Sequence, residues 1–90
     1  MNETDAKICE NILDALDRLF DRESKVIDIF ALIFASSEAL GSSVTGLNLD
    51  GLAIELEKIS RNGKAEELQR EEALQVTNNL RVTLNDMLSV

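Results

Sequence analysis

Apolar residues in this chain recur at spacings of three and four, the signature of α-helices that each bury one face. Between residues 4 and 21 the positions Ile8, Cys9, Ile12, Leu13, Ala15, Leu16, Leu19 and Phe20 share one side, and Glu10, Asp14, Asp17 and Asp21 form a ridge opposite. From 24 to 40 the apolar arc widens. Val26, Ile27, Ile29, Phe30, Ile33 and Phe34 sweep about 160° at 100° per residue, Leu32 extends it, and Asp28 falls on the remaining edge beside Ala31 and Ala35. Seven large side chains at about 1.5–3 kcal/mol each would contribute roughly 10–20 kcal/mol of gross burial. The stretch VIDIFALIF, residues 26–34, is therefore expected at the centre of the core, enclosed by two or three neighbours.

The 4-3 spacing runs on through DRESK at 21–25, interrupted only by Glu23. It admits one long helix, or two helices joined by a tight turn with Ser24 as N-cap. Gly41 is the expected C-terminal stop, and GSSVTGLN at 41–48 reads as a loop, with Asn48 or Asp50 capping the next helix. A third helix is expected at 49–60, with Leu49, Leu52, Ala53, Leu56 and Ile59 inward, ended by RNG at 61–63. A fourth is expected at 64–88, carrying Ala73, Val76, Leu80, Leu84, Met87 and Leu88. Residues 77–79, TNN, have weak helix propensity, so packing must hold that stretch. The fold class is all-α: one domain over 1–90, folded as an antiparallel helical hairpin or a small three- or four-helix bundle and completed by dimerisation.

Composition narrows the function classes. There is no Pro and Gly is limited to four, which favours helix throughout. Net charge is −8, from 17 acidic and 9 basic residues, and no three basic residues cluster, which argues against nucleic acid or anionic lipid as partner. The longest apolar run is about ten residues, short of the roughly 20 that span a bilayer. The N-terminal MNETDAKICEN lacks the basic and apolar regions of a signal peptide, and a single Cys cannot form an internal disulfide. The expected setting is the cytoplasm.

Histidine is absent, which removes the commonest general base and metal ligand. One Cys cannot build a zinc site, and no glycine-rich phosphate loop exists. Cys9 reads as a small buried hydrophobe, since its near neighbour Lys7 points to the other face. The ridge of Glu10, Asp14, Asp17 and Asp21 reads first as a solvated face, with Asp14 and Arg18 at ion-pair spacing, and second as a nucleic-acid mimic. Glu66 and Glu67 suit the start of the last helix. No enzyme, cofactor or metal site is expected.

LNLDGLAIELEKI, residues 47–59, resembles the D-S-L motif and following helix of acyl carrier proteins, which are also small, acidic and helical. That family attaches its phosphopantetheine arm to the motif's Ser. Gly51 stands in its place here, so the attachment chemistry is absent, and the upstream apolar helix lies closer than that fold requires.

Five apolar residues fall off their helices' inward stripes: Leu32, Leu47, Ile54, Leu74 and Val82. Clustered, they would form an interface for a second copy or another protein. The expected function is that of a non-catalytic interaction or regulatory module working as a helical homodimer. The alternative is a small acidic inhibitor of the immunity-protein or antitoxin kind, covering a basic site on its target.

Overall fold

The computed structural model describes residues 2–40 and 47–88. They form four α-helices and, among the described residues, no strand. The helices are α1 (Glu3–Phe20), α2 (Val26–Ala39), α3 (Leu49–Ser60) and α4 (Glu66–Leu88). Each packs on its neighbour in the chain and α4 returns against α1, closing a small bundle with α2 and α3 in the most extensive contact. Groove linings fix the directions. Ile8 and Asn11 of α1 face Leu32, Ala35, Ser36 and Ala39 of α2, so these two helices run antiparallel. The first half of α3 likewise faces Val76, Asn79, Leu80 and Thr83 of α4.

The core is apolar and drawn from every helix. Cys9, Ile12, Leu16 and Leu19 of α1 meet Val26, Ile29 and Ile33 of α2, Leu56 of α3, and Ala73 and Leu84 of α4. The inward residues expected for α1 and α3 are mostly buried. Phe20 is a correction: it stands exposed where α1 ends. In α4 the buried set is Ala73, Thr77, Leu80 and Leu84, and the expected Val76 is exposed. Thr77 holds a core position because its hydroxyl donates to the Ala73 carbonyl at 2.7 Å, which satisfies its polar atom without leaving the helix.

The chain between 21 and 25 turns, so the first arm is two helices. Glu23 N–H donates to the Arg18 carbonyl at 2.8 Å and Arg22 N–H to that of Leu19 at 3.2 Å. This is a Schellman stop with Arg22, at φ 64°, in the left-handed position that usually takes Gly. Ser24 is not the cap of α2. Lys25 is, and its N–H donates to the Asp28 carboxylate at 3.0 Å. Arg70 of α4 ties the turn down by donating to the Phe20 carbonyl at 3.3 Å and pairing with Glu67, which also takes Arg22 at 2.8 Å.

Gly63 lies midway in the α3–α4 connection at φ +75°, in agreement with RNG as a stop. Asn48 is the N-cap of α3 in left-handed conformation, but its side chain makes no capping hydrogen bond. The expected stop at Gly41 and most of the loop at 41–48 lie outside the described residues.

Candidate interaction surface

The segment VIDIFALIF is only partly enclosed, which corrects the expectation that neighbours surround it. Val26, Ile29 and Ile33 are buried, and Phe30 and Leu32 are half-buried against the core. Ile27 and Phe34 remain 48% and 53% exposed. Three fully buried side chains contribute roughly 5–9 kcal/mol rather than 10–20. The cause is the placement of neighbours: α1 lies along the Leu32–Ser36 edge, while among the described residues no helix covers the flank carrying Ile27 and Phe34.

That flank is regular. Ile27, Ala31, Phe34 and Glu38 are all exposed and follow a 4-3-4 spacing, which sets them on one stripe of α2. The Phe34 ring leans on that of Phe30, with centroids 6.1 Å apart and planes at 43°. The stripe thus joins the core at one side and water at the other.

The five off-stripe residues do not converge. Leu32 lies in the α1–α2 groove, and Leu47 lies in a groove of about 480 Å3 between α3 and α4. Leu74, on α4, is half-buried against the core. Ile54 and Val82 are exposed, at 56% and 52%, on different helices. The α3–α4 groove is also lined by Asn48, Glu55, Asn79 and Thr83. Gly51 leaves room there for the Asn48 amide, which lies 2.8 Å from where a Cβ would sit. The groove's side chains include one carboxylate and no other ionisable group, so it has no acid–base pair.

Glu10, Asp14, Asp17 and Asp21 are exposed along the outer side of α1. Asp17 takes Arg81 of α4 at 2.8 Å, whereas among the described residues no ion pair joins Asp14 to Arg18. Cys9 is fully buried. Burial, helped by the nearby Asp5 carboxylate, pushes its thiol above the ordinary 9.0, the opposite of what a nucleophile needs. Among the described residues no group of three or more potential ligands is placed to hold a metal, and no helix is long and apolar enough to cross a membrane.

Comparison with protein families, with curated proteins and with solved structures gives no match. The likeness to acyl carrier proteins therefore stays confined to thirteen residues. In the fold those residues lead into α3 and run through all but its last residue, with Gly51 in its first turn.

Apolar spacing assigns Ile27 and Phe34 to the core and misses them as surface. The signal that could have found them is that α2 carries more large apolar residues than one inward face can hold, so some must stay outside.

Proposed function

We propose that the protein is a non-catalytic interaction module that works as a homodimer, with the exposed stripe of α2 in the contact. One observation carries this reading: Ile27 and Phe34 stand about half exposed on the least charged part of an acidic chain. Residues 26–49 hold only two charged side chains, Asp28 and Glu38. Two copies at net charge −8 repel each other, so self-association costs least where charge is sparse. Ile54 and Val82, on α3 and α4, are the off-stripe residues open to a partner. The buried thiol suits the reducing cytoplasm.

Labelled chains mixed with unlabelled ones give the test. Subunit mixing followed by fluorescence transfer should weaken at least tenfold in Ile27→Asp and in Phe34→Asp, since each would bury a charge in an apolar contact. Unchanged mixing in both variants would remove the α2 stripe from the interface.

A second reading is supported by the ridge on α1. Glu10, Asp14 and Asp21 are exposed beside one another and make no ion pair among the described residues. Such a line suits a basic site on another protein. A chain carrying Asp14→Lys and Asp17→Lys would then lose its target, whereas Ile27→Asp would keep it.

A further inference from the structure

We infer that the groove between α3 and α4 binds a small aliphatic amine, with the ammonium group on Glu55 and the alkyl chain along Leu52, Val76 and Leu80. The inference is independent of the homodimer reading, since it uses other helices and needs one chain only.

The groove has the size and the lining of a ligand site. Its volume of about 480 Å3 falls within the roughly 300–1,000 Å3 of small-molecule pockets. Leu52, Val76 and Leu80 give it apolar walls. Val76 is an exposed large side chain, so an alkyl group laid on it removes from water a surface that the bundle leaves wet.

Charge selects the kind of ligand. Glu55 is the one ionisable side chain of the groove, and among the described residues it makes no hydrogen bond or ion pair. No Lys or Arg lines the groove, so an anion would meet a carboxylate and no counter-charge. The field of a chain at net charge −8 acts in the same direction. The positive end of α3 opens near this groove, and Asp50 in that first turn offsets it.

Geometry sets where the two parts of the ligand lie. The Gln69 amide donates to the Ser60 carbonyl at 3.5 Å, so the end of α3 meets the start of α4 and the two helices run antiparallel. Glu55 then lies toward Val76, and Asn48 toward Thr83 at the other end of the groove. Asn79, one turn along α4 from Val76, offers an amide oxygen to an ammonium proton that Glu55 does not take. At the far end the Asn48 side chain makes no capping hydrogen bond and lies over Gly51, where a Cβ would stand 2.8 Å from it. That end is polar and carries no lining carboxylate, so the groove matches one ammonium group and not a second.

Titration of isotope-labelled full-length protein with n-hexylammonium chloride, followed by amide chemical shifts, tests this residue by residue. Shifts should move around Gly51, Glu55, Val76 and Asn79. They should stay small at Glu10, Asp14 and Asp21, the exposed line that reports attraction by net charge alone. At low ionic strength hexylammonium should bind roughly fivefold or more tightly than n-hexanol, and hexanoate should not bind. Growing the chain from butyl to hexyl should tighten binding roughly two- to fourfold per methylene. Glu55→Gln, a nearly isosteric change at an exposed position, should erase the preference for amine over alcohol. Val76→Lys should supply the ammonium from within and abolish binding, with the helical circular dichroism unchanged. Shifts that spread along the α1 ridge would overturn the inference, as would a hexylammonium affinity that Glu55→Gln leaves intact. A glycyl-lysyl-glycine peptide that binds more tightly than hexylammonium would assign the groove to another protein's lysine and overturn the small ligand.

Discussion

Leu16 shows what the apolar pattern settles at the level of single residues. It is almost fully buried and belongs to the stripe that spacing alone assigns, so Leu16→Ala should lower unfolding free energy by about 2–5 kcal/mol in a denaturant titration. Phe34→Ala, a larger truncation, should change monomer stability by less than about 1 kcal/mol, because that ring is half in water. Spacing does not separate these two residues. Both are apolar and both fit a helix face, and only the position of neighbouring helices decides which is covered. Thr77 illustrates the opposite failure: hydropathy ranks it below Val76, yet its hydrogen bond to the Ala73 carbonyl lets it be buried. Cys9 is legible from its place on the α1 stripe, and its chemistry yields a pH prediction. Its folded pKa lies above the unfolded value near 9.0, so the folded thiol holds its proton when the unfolded one has lost it. Stability is then unaffected below about pH 9 and falls as pH rises beyond it toward the folded pKa, a slope that Cys9→Ala should remove from alkaline unfolding curves.

Helix existence is readable for all four elements, because polar interruptions and the Gly-containing stop at 61–63 leave distinct marks. The break between α1 and α2 is not, and the reason is specific. Its left-handed residue is Arg22 rather than Gly, and its cap comes from Asp28 inside the helix rather than from a Ser or Asn before it. In sequence Asp28 has the look of a charge on the thin edge of an apolar helix. In the structure it accepts the Lys25 N–H and lies in the first turn, where the helix dipole favours an acid. Asp28→Ala should therefore destabilise the fold by about 1 kcal/mol, measured by thermal unfolding, even though the residue is exposed.

The four helices leave the whole molecule with two unlike surfaces: an acidic outer line on α1 and a charge-poor stripe on α2. Their responses to salt differ in sign. The proposed self-association through α2 would bring two chains of net charge −8 together, so screening should strengthen it between low and physiological ionic strength. Binding of a basic target to the α1 ridge should weaken over the same range. The five off-stripe residues singled out in the sequence are scattered over the bundle because an ideal helical wheel orders positions around one axis and carries no information about where the other three axes lie. What the sequence does contain is an excess of large apolar residues on the second helix. Sedimentation equilibrium of the unaltered chain across the micromolar range puts that excess to use most directly. The weight-average mass should rise reversibly toward twice that of one chain, whereas a single-chain mass at every concentration would rule out a homodimer.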